Sequence, residues 1–87
     1  MLESQIQKKI IQRLEAAGWF VTKLIQTSTN GIPDLLIIRQ GVVMFIEVKN
    51  EKGDVSPLQK IRINQIYHSG INTIIARSES DIFHLVK

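Results

Sequence analysis

The chain has 87 residues, 44% of them apolar, with two prolines, five glycines, no cysteine and a net charge of +3. That size and make-up predict one small globular domain over residues 1–87, and exclude thiolate zinc sites, disulfides and thiol nucleophiles. No stretch is apolar and long enough to span a bilayer, and Met1 to Arg13 is amphipathic and charged rather than a secretion signal, so the chain reads as intracellular and soluble.

Leu2, Ile6, Ile10, Leu14 and Ala17 recur at helical spacing, with Ile11 widening the stripe and Gly18 as a stop, which predicts a helix over residues 3–17. Glu3 borders that stripe at the helix start, where a carboxylate also favours the positive end of the helix. Trp19 to Ile25 has strand composition, and Gln26 to Asn30 is a polar loop. Gly31-Ile32-Pro33 is a stiff turn that aims Asp34. Strands over 34–38 and 42–49, joined near Arg39-Gln40-Gly41, form a hairpin that brings Asp34 and Glu47 to one end. Side chains alternate along a strand, so Glu47 and Lys49 share a face with Val43 and Phe45.

Asn50 to Val55 is a charged loop. Ser56-Pro57 then starts a second helix whose buried face is marked by Leu58, Ile61 and Ile66 and whose end is marked by Gly70. Gln59, three residues after the serine, completes a capping box. Ile71 to Ala76 is a last buried strand, and Ser78 with Asp81 predicts a cap for a short helix through Val86. The order helix, three strands, helix, strand, helix makes the fold class α/β, a mixed sheet flanked by helices. His68 and His84 have no companion at ligand spacing and read as surface or packing residues.

Asp34, Glu47 and Lys49 stand on otherwise apolar segments, where charge is costly without a partner. Taken singly, each has an ordinary reading: Asp34 as a turn residue, Glu47 and Lys49 as a solvated pair. Taken together they point to a divalent metal. Asp34, Glu47 and a backbone carbonyl such as that of Val48 are hard oxygen ligands that suit Mg2+ or Mn2+ better than zinc. Lys49 beside them either orients or deprotonates an attacking water, or stabilises the transition state as a cation.

Setting these and Glu3 aside leaves ten Lys and Arg (11 less Lys49) against five acids (8 less three). Lys8, Lys9, Arg13, Lys23, Lys52, Lys60 and Arg62 are spread as phosphate contacts would be, although any one of them is equally an ordinary solvated side chain. A domain this small without disulfides draws its stability from a tight core, from association, or from both, which makes a homodimer an expectation.

Gly31-Ile32-Pro33-Asp34, Glu47-Val48-Lys49 and Ser56-Pro57-Leu58-Gln59, in that order behind a helix carrying Glu3, resemble the PD-(D/E)-x-K, or restriction-endonuclease-like, nuclease superfamily. Over almost the full length the pattern is similar to its virus-type replication-repair branch, the VRR-NUC domain. The resemblance implies a Mg2+- or Mn2+-dependent, structure-specific endodeoxyribonuclease that leaves a 5'-phosphate, with Glu3 and Gln59 joining Asp34, Glu47 and Lys49 in catalysis. Stand-alone members of this branch are similar to Holliday junction resolvases, which implies branched DNA as substrate and a two-fold dimer on it. Three readings stay beside this one: a flap or nicking nuclease, the nuclease subunit of a larger complex, and a non-catalytic nucleic-acid-binding module.

Overall fold

The computed structural model describes residues 1–87. The chain runs α1 (Glu3–Ala16), β1 (Phe20–Lys23), β2 (Leu35–Arg39), β3 (Val42–Val48), α2 (Pro57–His68), β4 (Asn72–Ala76) and a 3-10 helix (Glu79–Leu85). The strands form one mixed sheet in the order β1-β2-β3-β4. β1, β2 and β3 are antiparallel neighbours, and β4 returns through α2 to lie parallel to β3. The expected order of elements and the α/β class are therefore those of the molecule.

The helical stripe of the sequence becomes the buried side of α1, through Ile6, Ile10 and Leu14. These pack with Leu35, Ile37, Ile46, Val48 and Ala76 from one face of the sheet and with Ile82 and Leu85 from the 3-10 helix. Ile10, Leu14, Ile37 and Ile82 have no solvent exposure, and removing each such side chain from water contributes about 1.5–3 kcal/mol. The Trp19 indole donates to the Leu85 carbonyl at 2.8 Å, which anchors the 3-10 helix and satisfies the buried N–H.

β2 and β3 close through Gln40 (φ 49°) and Gly41 (φ 82°), between the paired Arg39 and Val42. Two central residues with positive φ make the hairpin turn whose twist suits antiparallel strands. Because the turn is this tight, the register is set: Leu35 faces Ile46, and one step further from the turn Asp34 faces Glu47.

Three expectations are corrected. β1 is shorter than expected, beginning at Phe20 and ending at Lys23. α2 has no buried residue: Leu58 is 39% and Ile61 54% exposed, because the helix lies over β4 at the side of the sheet and not across its middle. The last helix is a 3-10 helix that Ser78 does not cap by its side chain. Asp81 Oδ2 instead accepts the Arg77 N–H at 2.8 Å, and the Ser78 hydroxyl pairs with that of Ser80.

Candidate active site

Asp34 and Glu47 lie across from each other on the sheet face that carries α2, and each is bonded to the other's strand. Asp34 Oδ2 accepts the Val48 N–H at 2.9 Å, and Glu47 Oε1 accepts the Asp34 N–H at 3.2 Å. The second Glu47 oxygen, Oε2, accepts from Gln59 Nε2 at 2.8 Å and lies 3.2 Å from Lys49 Nζ. Asp34, Glu47, Lys49 and Gln59 thus form one connected cluster.

Glu47 is only 1% exposed, the one buried charged side chain in the molecule. Its burial, and next the charge of Asp34, push its carboxyl above the ordinary value of 4.5, against the lowering effect of Lys49 and Gln59. Two acids share a site in which one of them is stripped of water, and a single lysine is their only contacting cation.

That donor set fits a divalent cation. It consists of oxygen alone, and it holds more negative charge than the chain itself compensates. Val48 donates its N–H to Asp34 at 2.9 Å, which puts its backbone at the edge of the cluster. No group of three or more His, Cys, Asp or Glu side chains gathers anywhere, so a cation here would complete its shell with water and phosphate, as magnesium commonly does.

Gln59 forms the expected capping box and also contacts the buried acid. Its Oε1 accepts the Ser56 N–H at 3.1 Å and its N–H donates to Ser56 Oγ at 3.1 Å, while its Nε2 reaches Glu47. Glu3 is the expected site residue that stands apart from the acid pair. Its Oε1 lies 3.5 Å from the Asn50 N–H, against the loop that follows Lys49.

Several expected phosphate contacts are engaged within the chain. Arg13 pairs with Glu79 at 2.6 Å and Lys9 with the same carboxylate at 3.8 Å. Arg62 donates to the Asn30 carbonyl at 2.8 Å and to Gln65. Lys8, Lys23, Lys52 and Lys60 remain exposed. The role of Arg62 in holding the turn before Asp34 had no signal in the sequence, since only the fold brings α2 beside residues 30–31.

Gly31 in that turn has φ +83°, and a Cβ on it would stand 2.8 Å from Leu58 Cγ and 3.1 Å from Arg62 Cγ. Gly31→Ala is therefore expected to lower stability by about 1–3 kcal/mol, measured by urea unfolding. An unchanged midpoint would mean that α2 does not grip the turn.

The chain matches the family described as the VRR-NUC domain over residues 2–80. It is 30% identical over 87 residues to the crossover junction endodeoxyribonuclease Hjc of Sulfurisphaera tokodaii, a match that covers 97% of this chain and 58% of that relative's length. A solved structure described as a VRR_NUC domain superposes with a TM-score of 0.85 at 32% identity, covering 97% of this chain and 92% of the other.

Proposed function

Since the chain belongs to the VRR-NUC domain family, a family of nucleases, we propose that residues 1–87 act as one metal-dependent endodeoxyribonuclease domain that hydrolyses phosphodiester bonds in branched DNA. One observation carries this reading: the buried Glu47 carboxylate is held in a single hydrogen-bonded cluster with Asp34, Lys49 and Gln59. A structural salt bridge needs one acid and one base, and gains nothing from a second acid that pushes the first toward protonation.

Asp34, Glu47 and the Val48 carbonyl are the residues that would hold Mg2+ or Mn2+, which when bound supplies Lewis acidity, neutralising charge on the scissile phosphate and acidifying water. The protein's own groups do the positioning. Gln59 fixes one Glu47 oxygen and the Asp34 amide the other, so the carboxylate keeps its orientation before substrate arrives. Lys49, the cation in contact with Glu47, orients the attacking water and stabilises charge that gathers on the phosphorus oxygens. Glu3 supports the loop beyond Lys49.

The preference for branched DNA draws on the relative named for crossover junctions. Exposed lysines at positions 8, 23, 52 and 60 supply phosphate contacts, and DNA inside the cell is the substrate. The domain acts as a homodimer. Phe20 is 61% and Ile38 36% exposed, with Leu36, Val43 and Phe45 half-buried beside them on the site face of the sheet, and Leu58 and Ile61 are exposed on α2. An apolar face of this extent is an association surface, and a second copy would give two sites for the two symmetric strands of a junction.

Ile38→Glu, at the middle of that face, is expected to shift the mass by light scattering from two chains to one. A variant that stays dimeric would place the interface elsewhere. The functional reading is tested by offering labelled four-way, flap and linear DNA to the protein with magnesium, with manganese and with chelator. Preferential metal-dependent cutting of the four-way junction is expected; cutting of flaps alone would reassign the substrate, and no cutting of any of them would refute the nuclease reading.

A further inference from the structure

Lys49 is followed by a loop whose hold on the rest of the molecule comes from an unexpected residue. Arg77 follows β4 and lies one step beyond the Val48–Ala76 pair, level with Lys49 across the parallel strands. Its Nη1 donates to two carbonyls of the loop, Asn50 O at 2.8 Å and Gly53 O at 2.6 Å. Its own backbone N–H is tied to Asp81, so the arginine is anchored at its base as well as at its tip.

The loop it closes is itself a tight Asx turn: Asn50 Oδ1 accepts from the N–H groups of Lys52 at 3.0 Å and Gly53 at 2.7 Å. Inside that turn, a side chain on Gly53 would crowd the Glu3 carboxylate. A Cβ there would stand 2.8 Å from Glu3 Oε1 and 3.4 Å from the Lys49 side-chain carbon Cδ. The turn therefore lies beside both the lysine stem and the Glu3 carboxylate, and the same Glu3 oxygen accepts the Asn50 N–H at 3.5 Å.

We propose that Arg77 is a positioning residue of the active site: its guanidinium locks the Asn50–Gly53 turn, and the locked turn holds Lys49 against Glu47. Two part-buried carbonyls pointed at one guanidinium are a charge-assisted clamp, stronger than a neutral bond. Without it the turn loses both hydrogen bonds to the residue that follows β4, and the lysine stem loses a fixed neighbour. The proposal rests on the nuclease reading for its functional half, while the clamp itself does not.

The test compares the full chain with Arg77→Met and Arg77→Lys, and has one arm that needs neither metal nor DNA. In Arg77→Met, hydrogen exchange at the Lys52 and Gly53 amides is expected to quicken by about ten-fold or more, with the core amides of Ile10 and Leu14 unchanged. Affinity for a four-way junction in chelator should stay within about two-fold, while single-turnover cleavage falls by about 10- to 100-fold. Millimolar methylguanidinium should restore part of the cleavage, and Arg77→Lys should fall between the two. Unchanged loop exchange, or exchange that quickens throughout the core, would overturn the clamp. A loosened loop with undiminished cleavage in Arg77→Met would overturn the positioning role. A wild-type chain that cuts nothing would instead refute the nuclease reading, and the exchange arm would still decide the clamp.

Discussion

Lys49→Ala is expected to lower single-turnover cleavage of a four-way junction by about 10²- to 10³-fold, while affinity for the junction changes by no more than about three-fold. The lysine is only 17% exposed in its side chain and spends its charge on Glu47 at 3.2 Å, so it contributes little to the outer surface that meets phosphates. Its removal acts in two ways. The charge and water-orienting group are lost from the reacting region, and Glu47 loses one of the contacts that hold its carboxyl down. The residual activity should therefore require higher pH than the wild type, because Glu47 must ionise to work and does so less readily. Equal loss of binding and cleavage would make Lys49 a phosphate anchor instead of a catalytic group. An unshifted pH profile would dissociate it from Glu47.

Asp34→Asn is expected to abolish cleavage and at the same time to stabilise the metal-free protein at neutral pH, by about 0.5–2 kcal/mol. An asparagine oxygen can still accept the Val48 N–H now bonded to Asp34, so the turn is kept while the charge is lost. Burial first and Asp34 second hold the Glu47 carboxyl above its ordinary value. A carboxyl that binds its proton more tightly in the folded chain than in the unfolded one favours folding most when protonated. Its contribution is complete below 4.5, the ordinary value, and is lost as pH rises through the raised folded value. The wild type in chelator should therefore lose stability as pH rises through that window, and Asp34→Asn should lose less. Adding manganese at neutral pH should raise the wild-type melting temperature by mass action and leave that of the variant unmoved. A destabilised variant, or one whose melting still responds to manganese, would show that the acid pair is not the cation site.

Much of this arrangement is legible in the residues, for identifiable reasons. The α1 stripe is strictly periodic, so its buried side could be named. The hairpin is legible because Gln40-Gly41 leaves little freedom in register, and register alone brings Asp34 opposite Glu47. Gln59 could be given two roles because a capping box leaves its amide nitrogen free to point elsewhere. The missed features depend on how elements meet. Leu58 and Ile61 have helical spacing and apolar character, yet they are exposed, and apolar spacing cannot distinguish a face turned to the chain's own core from one left for a partner. Glu3 borders the α1 stripe as expected, but the helix meets the sheet so that its carboxylate reaches the Asn50–Gly53 turn and not the acid pair. The partners of Arg62 and Arg77 lie 32 and 27 residues away, and nothing local distinguishes such arginines from those on an ordinary wet surface.

The Gln59 side chain ties the start of α2 to the buried acid, and this removes a freedom that protein engineers usually enjoy. Helix caps are ordinarily adjusted for thermostability without consequence for turnover, but here Ser56 and Glu47 hold opposite ends of one amide group. A cap redesigned for a sturdier helix would disturb the site through Gln59, and a site redesigned for speed would fray the helix. Robustness and rate are bound together at a single glutamine, so neither trait can drift far without dragging the other.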